Sequence, residues 1–136
     1  MSAAVPEVSV PVYEQDVAPY IDEAEQEFHR MFTKHPANEG RMALDIERDK
    51  SSAAGLFQLL RLRFKLDHSQ GEYQLRQYLS DHLEGLAGGT PFPRTAYLSR
   101  AYDSSMIEAL SHLANALGIE ISGPYLPTPQ TGRYPS

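Results

Sequence analysis

The chain has 136 residues, enough for one domain with a single ordinary core, and its apolar content of 41% is too high for wholesale disorder. It has no cysteine, which excludes disulfides, thiolate metal sites and a thiol nucleophile. A formal charge of −6 opposes long-range attraction to phosphate backbones and so disfavours nucleic acid as a partner.

Residues 1–13, with Pro6 and Pro11, read as an extended N-terminal arm. The start "MSAAVPEVSVPVYEQ" has no cationic n-region and no continuous apolar stretch. No run in the chain approaches the roughly 18 apolar residues that span a bilayer. A cytoplasmic acidic protein with no membrane partner is therefore expected. Residues 14–122 read as one helical domain and 123–136 as a Pro-rich tail, "GPYLPTPQTGRYPS" from Gly123 onward.

Within the domain, four helices are predicted at about 16–35, 52–66, 70–87 and 104–117, a mainly α bundle. The first is capped by Asp16, takes Pro19 in its first turn and stops before Pro36. Val17, Tyr20, Ile21, Ala24, Phe28, Met31 and Phe32 share one face of it, with acids on the flanks. Met42, Leu44 and Ile46 alternate, so a short strand is expected near 42–47, and another near 119–122. The segment 59–66 alternates as well, and Gly55 adds to a strand reading. The Ser-Ser start, the Ala pair and the length favour a helix. "SQGE" (69–72) and "SMIE" (105–108) are capping boxes that would open the third and fourth helices. Leu75, Leu79, Leu83 and Leu86 line the third, which Gly88-Gly89 close. Ile107, Leu110, Leu113, Ala114 and Leu117 line the fourth, which ends at Gly118.

Charge is segregated along the chain. Glu14, Asp16, Asp22, Glu23, Glu25 and Glu27 fall in a stretch with no Lys or Arg, whereas "RLRFK" (61–65) carries Arg61, Arg63 and Lys65. Eight tyrosines, three of them (Tyr13, Tyr125 and Tyr134) in or beside the arms, are a residue type favoured at interfaces. These six residues are the candidate partner-binding set. Burying several unpaired cations in a core this small would cost more than the fold's margin of roughly 5–15 kcal/mol, so at least two of Arg61, Arg63 and Lys65 should face solvent or meet carboxylates. The acid-rich helix is their natural complement, in the same chain or on a second copy.

"SQGE", "YLSR" (97–100) and "LANALGIEI" (113–121) resemble, in fragments, the helix-turn-helix domain of lambda-repressor-like regulators. That resemblance implies a DNA-binding regulator over 61–121, using Arg94 and Arg100 with the 61–65 cations. In that family a short turn braces the recognition helix in the major groove; here "HLEGLAGGTPFPRT" (82–95) intervenes.

Chemistry-bearing patterns are sparse. Glu25/His29 and Glu108/His112 stand at i,i+4, a spacing that suits two metal ligands but is also an ordinary helix-surface pairing. No metal and no cofactor is expected. "LAGGTP" (86–91) lacks the Gly-Lys-Ser/Thr of a phosphate loop, and no Gly-x-Ser-x-Gly elbow is present. His35, just before Pro36, is placed to cap the first helix's carbonyls. His82 lies at the edge of the leucine face beside Tyr78, where the two could line a ligand pocket. The reading is a non-enzymatic helical interaction or regulatory subunit that docks on a protein partner or on copies of itself. The alternatives are the divergent helix-turn-helix regulator and a small ligand-binding or enzymatic helical bundle.

Overall fold

The computed structural model describes residues 17–88 and 99–121. The arms, with Tyr13, Tyr125 and Tyr134, lie outside these residues, as do Asp16 and Arg94. Four α-helices pack together: α1 (Ala18–Thr33), α2 (Ala43–Leu66), α3 (His68–Gly88) and α4 (Arg100–Leu117), with a 3₁₀ turn at Pro36–Asn38. The pairings run around the bundle, α1 on α2, α2 on α3, α3 on α4 and α4 back on α1. Each neighbouring pair is antiparallel. Asp22 and Phe28 of α1 meet Arg61 and Phe57 of α2. Arg63 bonds Gln70 across the α2–α3 turn. His82 and Arg76 of α3 reach Asp103 and Glu120, and Phe28 and Glu23 of α1 face Tyr102 and His112 of α4. This is an up-down-up-down four-helix bundle.

The core follows the predicted stripes. Val17, Ile21, Ala24, Phe28 and Phe32 of α1 are buried against Phe57 and Leu60 of α2, Leu75 and Leu79 of α3, and Tyr102, Met106, Leu110 and Leu113 of α4. At its centre Phe28 stacks on Phe32 at 5.3 Å and meets Tyr102 edge-on at 5.5 Å, geometries the ring quadrupole favours.

Several expected boundaries shift, each for a local reason. Val17, not Asp16, holds the N-cap position of α1, with no side-chain cap. No strand forms among the described residues. The segment expected as a strand at 42–47 instead opens α2, with Asp45 in the first turn where the helix dipole favours an acid. Arg48–Asp45 and Lys50–Glu47 pair there at i,i+3, a helical spacing that the Met42/Leu44/Ile46 alternation disguised. At the other expected strand, residues 119–121 only complete the C-cap of α4. Gly118 adopts φ 75°, the left-handed conformation that glycine accommodates, and the Ile119 amide returns to the Ala114 carbonyl at 2.8 Å.

Neither capping box opens its helix. Asp67 alone separates α2 from α3, and its carboxylate accepts from the Ser69 amide at 2.7 Å. Ser69 is thus already inside α3. Ser99 caps α4 by accepting from the Tyr102 amide at 3.0 Å. Ser105 sits five residues beyond the α4 start, buried, with no hydrogen-bond partner for its hydroxyl among the described residues. His35 caps the 3₁₀ turn rather than α1: its Nδ1 accepts from the Ala37 amide, while Asn38 donates to the Phe32 carbonyl at 2.7 Å.

Candidate functional site

Two places in the bundle carry polar chemistry beyond ordinary helix-surface pairs. The first is the seam between α3 and α4. His82 is 1% exposed, and its Nδ1 shares a 2.6 Å hydrogen bond with Oδ1 of Asp103, also buried. An ionised carboxylate only accepts, so with Asp103 ionised the proton sits on Nδ1. The Tyr102 ring covers the imidazole at 5.3 Å. Gly85, one turn beyond His82, makes the approach possible, because a Cβ there would lie 2.9 Å from Asp103 Oδ2. A charge-assisted bond in so dry a place is strong and geometrically demanding. Its evident work is to lock the register of α3 on α4.

A second buried carboxylate, Asp49, braces the same end of the bundle, where α4 begins. Asp49 is fully buried; its Oδ2 accepts from Arg41 Nη1 at 2.8 Å and from the Ser99 hydroxyl at 3.0 Å. Ser99 therefore joins the N-terminus of α4 to the second turn of α2 while it caps α4. Arg41 also donates to Asn38, which in turn holds the end of α1. One chain of hydrogen bonds ties three helices together here.

The other place is on the surface, where the end of α2 turns into α3. Leu62 and Leu66 of α2 and Tyr73 of α3 are 50%, 61% and 65% exposed. Leu62, Arg63 and Leu66 lie on one helix face at i, i+1, i+4. Arg63 and Tyr73, with Ser69, Gln70 and Gln74, line an open depression of about 280 Å³. Arg63 is half-buried, its Nη1 donates to the Gln70 amide oxygen at 3.2 Å, and its Nε is buried without a hydrogen-bond partner among the described residues. Lys65 is exposed.

No protein-family model, curated protein or solved structure matches the chain.

Of the predicted partner-binding cations, Arg61 is engaged within the chain. It donates to Asp22 and, at 2.6 Å, to Glu25 of α1. Burial works against its charge, but the hydrogen bonds to Glu25 and Asp22 and then their negative charges outweigh it, holding the guanidinium above its ordinary pKa. The acid-rich helix is thus the complement of Arg61 in the same molecule. The same contact separates Glu25 from a metal-binding role with His29, and His112 faces Glu23 of α1 at 3.9 Å. Among the described residues no three His, Asp or Glu side chains are grouped to hold a metal.

Arg100 is the exposed first residue of α4. "YLSR" therefore places Ser99 and Arg100 at the start of a helix, not at the end of a recognition helix. Tyr78 is half-buried against the core one turn before His82, which lies fully inside rather than at an open edge. A helix expected from 104 leaves Asp103, the partner of His82, outside it, whereas α4 begins at Arg100. With the helix begun at Arg100, Asp103 falls on the stripe of Met106, Leu110, Leu113 and Leu117, and an acid on an apolar stripe is the signal that could have found it.

Proposed function

We propose that the protein is a non-enzymatic cytoplasmic interaction or regulatory subunit, docking through its helical surface on a protein partner or on copies of itself. The observation that carries this reading is the exposed apolar group at the α2–α3 turn. Leu62, Leu66 and Tyr73 are exposed near this turn beside the half-buried Arg63, whereas the other exposed large apolar side chains among the described residues, Met42 and Leu44, lie at the start of α2. Exposed apolar side chains gathered on one surface rather than scattered singly are a mark of interaction sites. The buried polar pairs support it from the other side. His82–Asp103 and Asp49–Arg41 fix helix register, which is what a rigid binding scaffold requires.

A photo-crosslinking residue placed at position 66, in cells that express the protein, tests this reading, together with sedimentation velocity over a wide concentration range. The expected result is a discrete crosslinked species, to another protein or to a second copy. A chain that stays monomeric at every concentration and yields no discrete adduct overturns the interaction reading. No helix among the described residues is long and apolar enough to cross a membrane.

A further inference from the structure

We propose that the face formed by Leu62, Arg63, Leu66 and Tyr73 receives an acidic amphipathic segment of another protein, with apolar anchors on the leucines and tyrosine and a carboxylate on Arg63. This rests on the interaction reading and gives it an address and a chemistry.

Arg30, Arg41, Arg48, Lys50, Arg61 and Arg76 each have a carboxylate partner in the chain. Arg63, two residues from Arg61, has none among the described residues. Its guanidinium is spent on one neutral amide, and its Nε is turned away from water with nothing to donate to. Arg63 also lines the open depression, so an acceptor brought there by a partner meets its guanidinium. The fork geometry of a guanidinium is best completed by a carboxylate bonded to two of its nitrogens. The acids nearest in sequence are occupied: Asp67 caps the Ser69 amide and Glu72 faces Arg76. Lys65, exposed and also without a carboxylate partner among the described residues, adds a second positive charge beside Leu62.

The apolar part sets the shape of the occupant. Leu62 and Leu66 are one turn apart with Arg63 between them, so they present the i, i+4 spacing of a helix face, and Tyr73 stands across the depression from Arg63. An amphipathic helix laid against such a ridge offers its own anchors at i, i+3 and i+4. A second copy of this chain is the weaker match. The acidic face of α1 has its carboxylates in use: Asp22 and Glu25 on Arg61, Glu27 on Arg30, and Glu23 facing His112.

A random display library of peptides about 16 residues long, roughly four helical turns, is selected on the full wild-type chain. The selected peptides are then retested on a Leu62→Ser/Leu66→Ser variant and on Arg63→Gln. These positions are exposed or half-buried, and far-ultraviolet circular dichroism checks that each variant keeps its helices. The expected result is that leucine-dependent peptides are enriched in Asp and Glu over Lys and Arg relative to the input. Arg63→Gln should weaken them about tenfold, the size of one charge-assisted contact. Changing the peptide's acid to the amide should erase that difference. Leucine-dependent peptides that are neutral or basic, or indifferent to Arg63→Gln, overturn the proposal. So does a wild-type dimer dissolved by Leu66→Ser, although that outcome leaves the interaction reading standing. If no selected peptide depends on the leucines, this surface is rejected, and self-association in sedimentation velocity decides separately whether the broader reading stands.

Discussion

The two ends of α3 approach their neighbours across a missing Cβ, but the contacts differ in kind. Near the start, Gly71 lies under the Phe64 ring of α2, where a Cβ would stand 2.3 Å from two ring carbons. Near the end, Gly85 admits the carboxylate of Asp103 beside His82. The first contact is apolar and non-directional, so its value lies in area removed from water. The second gains little from burial as such and is strict about geometry, since a misplaced partner leaves a buried polar group unsatisfied. One end of α3 is held by packing; the other is held in register.

Breaking the polar end should cost most. Asp103→Ala removes the buried carboxylate bonded to His82 and is expected to lower unfolding stability by about 3 kcal/mol in urea denaturation, with Asp103→Asn losing less because one oxygen remains to accept. At the apolar end, Gly71→Ala should cost about 2 kcal/mol by overpacking against Phe64. That cost should shrink by about 1 kcal/mol or more in a Phe64→Leu background, as expected of residues in contact. Gly85→Ala sets a helix-propensity gain near 1 kcal/mol against the clash with Asp103 and should come out about 1 kcal/mol destabilising. With Asp103→Ala already present, the sign should reverse. Gly55→Ala is the control: nothing lies within 4 Å of a Cβ there, so it should stabilise by about 0.5–1 kcal/mol. Equal gains at Gly55 and Gly71 would show that backbone propensity, not close approach, governs both.

The four-helix architecture was legible because Ile21, Phe28 and Phe32, or Leu110, Leu113 and Leu117, repeat with the helical period and must find a common interior. What was not legible depends on choices between equally well-formed local signals. Ser69 and Ser105 satisfy the capping-box pattern, but Asp67 and Ser99 stand earlier and capture the helix starts. Beginning α2 and α4 late left Asp49 and Asp103 in connections, so neither acid was seen to lie on a buried stripe. The exposure of Leu62 and Leu66 was equally hidden, because seven apolar residues in 56–66 cover more of a helix than its neighbours can. The period shows that a face is wide; only the packing decides which part stays outside. The Arg61 complement was anticipated as acidic, and the fold supplied the carboxylates from its own first helix.

Because every neighbouring helix pair is antiparallel, the start of α1 and the end of α4 arrive at the same end of the bundle, with Val17 and Ile119 in one core. The order of helices along the chain is then not essential to the packed object. A circular permutant that joins residue 121 to residue 17 through a short flexible linker, and opens the chain between residues 88 and 99, keeps each antiparallel pairing and should fold to the same helical content. Such a permutant would also move the new chain ends beside the N-terminus of α4, so that Ser99 and Asp49 would have to hold that helix without a covalent connection from α3.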